Sequence, residues 1–263
     1  MELFFRKYGQ GPPLIIIHGL YGSSDNWVSI GRKLAENFEV YILDQRNHGR
    51  SPHSPDHNYR LLKEDLHEFM DTNSIEKAII IGHSMGGKTA LFFAVDYPER
   101  VSHLIVADIS PRSYKDKDSE QLLSHSTIIR AMYNLDFYGI QSRDEVDEIL
   151  SKDIPDVRVR QFLLKNVKRS KNNEYSWMLN LKAIRNELSN ILEGLNENQK
   201  EITGFPVLFL KGEKSNYITK KDQDFISKVF PYADIESIPN AGHWLHAEQP
   251  ELFLKTIEDF ILQ

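Results

Sequence analysis

The run Ala78-Ile79-Ile80-Ile81 passes directly into Gly82-His83-Ser84-Met85-Gly86-Gly87, and Lys88-Thr89-Ala90-Leu91-Phe92-Phe93-Ala94 follows with apolar residues at helical spacing. A short continuous apolar run reads as a buried strand, and the segment after it as a helix. The junction is then a tight strand-to-helix turn of the pattern Gly-x-Ser-x-Gly, with Ser84 at its apex. Backbone at such a turn is strained, and the flanking glycines keep Cβ atoms out of the way of neighbouring chain. A serine raised above the edge of a sheet can reach both an incoming carbonyl and a distant histidine. A glycine-rich turn that happens to hold a serine is the plainer reading, but the strand before and the helix after supply the context the motif requires.

Around this junction, apolar strand runs alternate with helical patterns. Leu14-Ile15-Ile16-Ile17 and Val40-Tyr41-Ile42-Leu43 predict buried strands, and residues 101–109, 206–210 and 233–238 predict three more. Helices are expected over residues 27–37, 59–72, 219–230 and 250–262. Continuous apolar strands separated by helices predict an α/β fold, a mostly parallel central sheet with helices on both faces. Between residues 111 and 200 the alternation stops. No buried strand is evident there, while residues 121–134, 143–150, 157–167 and 179–195 look helical and the charged segments 112–120 and 169–174 read as surface loops. An insertion of this kind predicts a helical cap over the sheet's carboxyl edge, where ligands bind in open α/β sheets; the other reading is a linker or a separate regulatory domain. The expected organisation is a core of residues 1–110 and 201–263 carrying a cap of residues 111–200.

With 263 residues, 40% of them hydrophobic and 27% charged, the chain can bury a sizeable core. A net charge of −6 argues against nucleic acid as a partner. Cysteine is absent, which excludes disulfides and thiolate catalysis. His48, His53 and His57 lie irregularly among Pro and Ser, without metal-ligand spacing. No metal and no cofactor is expected. No stretch approaches the roughly 20 apolar residues of a membrane helix, and residues 1–10 lack the pattern of a signal peptide. The expectation is a cytoplasmic enzyme.

A nucleophilic serine needs a base, an acid to orient the base, and two donors for a developing oxyanion. The sequence Asn240-Ala241-Gly242-His243-Trp244 directly follows the last predicted strand and offers His243 as the base, with His246 as the fallback. Backbone amides of Met85, at a helix start, and of Leu20, in the loop after the 14–17 strand, are the candidate oxyanion donors. His18 reads as a structural hydrogen-bonding residue. Asp44 and Arg46 read as loop-holding groups.

His18-Gly19 with Gly22, then Asp44-Gln45-Arg46-Asn47-His48-Gly49-Arg50-Ser51, then Gly82 to Gly87, then Gly242-His243 together resemble the α/β-hydrolase superfamily. The match spans almost the whole chain outside the insertion. Within it, the RNHGxS, GHSMGGK and AGHWLHAE segments look closest to a branch of small bacterial esterases and thioesterases, with related proteins in mitochondria. That resemblance implies an α/β-hydrolase fold, a cap, and cleavage of carboxylic esters or acyl thioesters through a Ser-His-Asp triad and an acyl-enzyme. The substrate would be a small-molecule acyl ester or acyl-CoA.

The acid departs from the commonest family pattern. The loop after the 206–210 strand reads Gly212-Glu213-Lys214-Ser215-Asn216-Tyr217, with Ser215 where aspartate is usual. Either Glu213 serves, or the acid has moved to Asp108 at the end of the strand before the cap, a place some α/β-hydrolases use. Asp108 is favoured, because a carboxylate closing an apolar strand needs a strong partner and His243 supplies one. Phe162, Leu163, Trp177 and Tyr217 are candidates to line an acyl pocket, although helical apolar spacing is also what core packing produces. Lys165, Lys168, Arg169 and Lys171 form a basic run that reads as a solvated helix end or as a dock for a phosphate-bearing acyl carrier. Carbon–carbon bond hydrolysis, an elimination of the menaquinone-pathway kind, cofactor-free perhydrolysis and a slow-turnover ligand receptor stay open on the same constellation.

Overall fold

In a strand buried on both faces, successive side chains must find apolar partners on opposite sides of the sheet. The computed structural model, which describes residues 1–262, shows how this chain meets that demand. The first part of the chain runs β1 (Phe5–Tyr8), β2 (Pro13–Ile17), α1 (Val28–Leu34), β3 (Glu39–Leu43), α2 (Tyr59–Thr72), β4 (Ala78–His83), α3 (Met85–Asp96) and β5 (Val101–Ala107). A middle segment follows with α4 (Glu120–Asn134), α5 (Arg143–Ser151), α6 (Val157–Leu164), β6 (Val167–Arg169), β7 (Tyr175–Trp177), α7 (Leu181–Asn186) and α8 (Leu188–Ile191). The chain then returns through β8 (Val207–Gly212), α9 (Lys220–Val229), β9 (Asp234–Ile238), α10 (Leu245–Glu248) and α11 (Pro250–Ile261).

The main sheet has seven strands in the order β1-β3-β2-β4-β5-β8-β9, with only β1 antiparallel to its neighbour. In β2, Ile15 and Ile17 join Leu62 and Leu66 of α2 and Ala90 of α3 in one core. Leu14 and Ile16 point the other way, into a second core with Ile30 and Leu34 of α1 and Phe253, Ile257 and Phe260 of α11. Two-residue alternation thus assigns helices to both faces. Register then stacks the strand ends: Ile17 lies beside Gly82, and His83 beside Ala107. The carboxyl ends of β2, β4 and β5 meet at one edge, which is where the site lies.

The middle segment departs from its expected outline in two places. Residues 167–177 form a small antiparallel hairpin of β6 and β7, so the helix expected to reach residue 167 stops at Leu164. The helix expected over residues 179–195 is broken into α7 and α8. Its end leaves helical pairing because Ile191 O accepts from Tyr59 Oη at 2.5 Å and Leu192 O from Tyr114 N at 2.8 Å. Helices α4, α5 and α6 start where Ser119, Ser142 and Asp156 accept a backbone N–H of the first turn. Among the described residues no helix is long and apolar enough to cross a membrane.

Where the middle segment leaves and rejoins the sheet, its two passages are fastened to each other. Tyr114 N donates to Leu192 O and Leu195 N to Pro111 O, both at 2.8 Å. Beneath this neck the Lys88 ammonium, on a side chain only 1% exposed, donates to Arg112 O and Glu193 O and faces the Tyr114 ring at 4.9 Å. Replacing Lys88 with Met removes its bonds to two half-buried carbonyls, a loss of about 1 kcal/mol each. The expected result for Lys88→Met is a clearly lowered Tm together with faster proteolysis within residues 111–200, read by calorimetry and limited trypsin digestion.

Candidate active site

The turn at the end of β4 is built by close contact rather than by side-chain bonds. Ser84 holds φ 52° and ψ −119°, a conformation costly for any residue with a Cβ. Two residues on, a Cβ at Gly86 would stand 2.3 Å from Ile17 O and 2.5 Å from His18 O, so only glycine lets the start of α3 sit on the end of β2. Ser84 N donates to Ala107 O at 3.0 Å, tying the apex to β5. The serine is 6% exposed and lines a cavity of about 340 Å³.

His243, in the loop between β9 and α10, lines the same cavity. Its Nδ1 lies 2.8 Å from Asp108 Oδ2. Asp108 follows β5 with φ 50° and is fully buried, and Gly212 N donates to its Oδ1 at 2.9 Å while Ser215 Oγ donates to Oδ2. The serine that stands where an aspartate was expected therefore binds the carboxylate of Asp108. Glu213 is turned away, accepting from Asn240 N at 2.7 Å, and makes no contact with His243 among the described hydrogen bonds. The Tyr217 ring stacks on the His243 imidazole at 4.0 Å and 18°. From behind, His83 Nε2 donates to His243 O at 2.8 Å, and burial pushes the His83 pKa well below its ordinary value.

The loop carrying Leu20 is fixed by hydrogen bonds converging on His18. Its Nδ1–H donates to Gly19 O at 2.8 Å and its Nε2 accepts from Gln45 N at 3.0 Å. Gln45 also donates to His18 O and accepts from Thr89 Oγ1 of α3. Leu20, Met85 and Ser84 then border one small inner recess. Asp44 accepts from Ser24 N and Arg50 N, and Arg46 forms a buried two-point pair with Asp65 at 2.6 and 2.8 Å.

Phe162, Leu163 and Tyr217 line the cavity, with the Phe162 and Trp244 rings 5.2 Å apart on its wall. Trp177, expected there, is a correction: β7 turns it under α4, where Nε1 donates to Met132 O at 3.0 Å and the ring meets Phe137 edge-on. The fallback base His246 stacks on Trp27 at 4.0 Å and does not reach the cavity. Lys165, Lys168, Arg169 and Lys171 lie off the cavity, whose charged lining is Asp156, Arg158, Lys214 and Glu248. Sequence reasoning missed Tyr21 and His125, both on the wall. A signal for His125 existed: it shares an α4 stripe with Leu122, Ile129 and Met132, a histidine on an apolar face.

Residues 12–250 match the sequence profile of a family described as alpha/beta hydrolase fold. A solved structure of a marine microorganism esterase is 48% identical and superposes with a TM-score of 0.95, covering 98% of this chain and 99% of that one. The sn-1-specific diacylglycerol lipase ABHD11 of Danio rerio is 39% identical over 98% of this chain and 80% of its own length. Esterase YbfF of Escherichia coli (strain K12) is 31% identical over 95% of this chain and 92% of its own.

Burial around the site also sets an acid limit. It lowers the pKa of His57 and His246 to about 3 and of His125 to about 4, so these rings fold uncharged. Unfolded histidine titrates near 6.5, so below that value the unfolded chain binds more protons and stability is lost as pH falls toward 4. At pH 5, His57 and His246 each cost about 2 kcal/mol by this linkage. The expected Tm at pH 5 lies at least about 5 °C below that at pH 7.5, measured by scanning calorimetry.

Proposed function

The chain belongs to the α/β-hydrolase family, and on that premise we propose that it hydrolyses carboxylic esters with Ser84 as nucleophile, His243 as general base and Asp108 as the acid that orients it. The observation that carries this reading is the 2.8 Å contact of His243 Nδ1 with the buried Asp108 Oδ2, with the strained Ser84 lining the same cavity as His243. A carboxylate accepts, so His243 Nδ1 bears the hydrogen and its Nε2 lone pair is left for the Ser84 hydroxyl. Ser84 Oγ attacks the ester carbonyl as His243 takes its proton. The amides of Leu20 and Met85 receive the oxyanion, the second of them at the positive end of α3. His243 returns the proton to the leaving alcohol, then deprotonates the water that releases the acid. Electrostatic support for the transient imidazolium comes from Asp108, and the stacked Tyr217 ring keeps it in plane.

Segment 111–200 acts in this scheme as the cap, supplying His125, Ile128, Val159, Phe162 and Leu163 to the wall above Ser84. A cavity of about 340 Å³ is at the small end for ligand sites and suits short to medium acyl groups. Oxygen esters are favoured over acyl-CoA because the similar proteins of matching length are named as esterases and a lipase, and none of the basic run 165–171 lines the cavity.

Aryl esters and acyl-CoAs of graded length, assayed side by side, test the scheme. Ser84→Ala is expected to abolish turnover. Asp108→Asn should fold normally and lose about 10⁴ in kcat, the scale set by the wrong histidine tautomer, while Glu213→Gln stays within about threefold, the range of an exposed surface substitution. Full activity in Asp108→Asn, with Glu213→Gln inactive, would move the acid to Glu213.

A further inference from the structure

Two buried polar atoms, on residues that line the Ser84 cavity, find no partner among the described residues. The Tyr21 hydroxyl and His125 Nδ1 are both buried and unpaired, and both residues line that cavity. Among the described residues the other side-chain atoms in this condition, on Arg6, His103 and His246, belong to residues that do not line it. Buried polar groups are otherwise nearly always satisfied, so two orphans at one ligand cavity call for a ligand.

Both groups are held in place. Tyr21 follows Leu20, is 3% exposed and has φ 61°, and its carbonyl is clamped by Asn166 Nδ2 at 2.7 Å. His125 faces it from α4, with ring centroids 5.8 Å apart. Its Nε2 is 3.2 Å from the Tyr217 hydroxyl, on the ring that stacks on His243. Burial lowers the His125 pKa to about 4 and raises that of Tyr21, so both partners are uncharged at neutral pH.

We propose that the Tyr21 hydroxyl and His125 Nδ1 form a subsite for a free hydroxyl group on the substrate, a few bonds from the scissile carbonyl; the position of that carbonyl rests on the ester-hydrolase reading above. A hydroxyl both accepts and donates. It can accept from Tyr21, and it can meet His125 Nδ1 in either role, whichever tautomer the bond to Tyr217 selects. A plain alkyl group leaves both atoms unpaired. A carboxylate only accepts, and it would place a charge between two neutral partners. The subsite therefore selects hydroxylated esters, the hydroxyl lying either in the acyl chain or in the alcohol.

Two matched pairs separate those sources: phenyl 3-hydroxybutyrate against phenyl butyrate, and glyceryl monobutyrate against propyl butyrate. In the wild type, one hydroxylated member is expected to exceed its partner at least about tenfold in kcat/KM, since a site built to bond a hydroxyl discriminates strongly against its absence. Tyr21→Phe and His125→Phe should each collapse that ratio toward one. Tyr21→Phe deletes only an unpaired oxygen and is expected to keep or raise the Tm. Calorimetric binding of the same pairs to Ser84→Ala reads the subsite without turnover. Equal kcat/KM and equal binding within both pairs overturns the proposal, as does a preference that survives in Tyr21→Phe. Absence of turnover on all four esters with the binding preference intact would remove ester hydrolysis and leave the subsite standing.

Discussion

The contact between the start of α3 and the last carbonyls of β2 is the fixed point of this molecule. Because no Cβ fits at Gly86, the backbone can close onto Ile17 and His18, and the closure forces Ser84 into its left-handed conformation. The strain is held by what surrounds it: a β4 buried along its whole length, the Ser84 N–Ala107 O bond, and apolar cores on both faces of the sheet. From that point the parallel register carries Asp108 to the end of β5 and the Leu20 loop to the end of β2. The site is assembled by strand ends, with the long-range pairs His18–Gln45–Thr89 and Asp108–Gly212 locking neighbouring loops together.

Asp108 illustrates how a buried carboxylate is tolerated. It has no exposure, yet a backbone amide, a hydroxyl and an imidazole all point at it. Desolvation of a charge is offset only when its lone pairs are answered. Ser215 is part of that answer, which gives a physical reason for a serine in that loop.

Much of this was legible beforehand, and the particular residues show why. The sheet strands stand out because continuous apolar runs can only be buried twice over, and the expected 59–72 helix coincides with α2. The elbow was visible because glycine, serine and flanking periodicity all agree. The middle segment is less legible. Its hairpin is mostly exposed at β6, so it lacks an apolar run, and the helix ends at α8 because Tyr59 and Tyr114, residues far away in sequence, take the carbonyls of Ile191 and Leu192. Trp177 was misplaced because helical spacing says that a residue is buried but not against what. His125 does leave a trace, as a histidine in the apolar stripe of α4, whereas the unpaired hydroxyl of Tyr21 leaves none in composition or spacing.

The neck of the middle segment has a consequence for how such a chain can change. Its two passages are hydrogen-bonded to each other, and Lys88 of α3 grips both from below. Everything between Tyr114 and Leu192 leaves and rejoins the core at this one closed junction, and beyond it the segment also touches the core through Asn166 on Tyr21, His125 on Tyr217 and Asn180 on Asn47. The entry and exit of the segment are set by the neck independently of what lies between them: a different set of helices running between the same two anchor points would meet the same sheet edge and the same serine. Change in the shape of the cavity can then be confined to the wall the segment supplies, with the strand ends that hold Ser84 and Asp108 left in place.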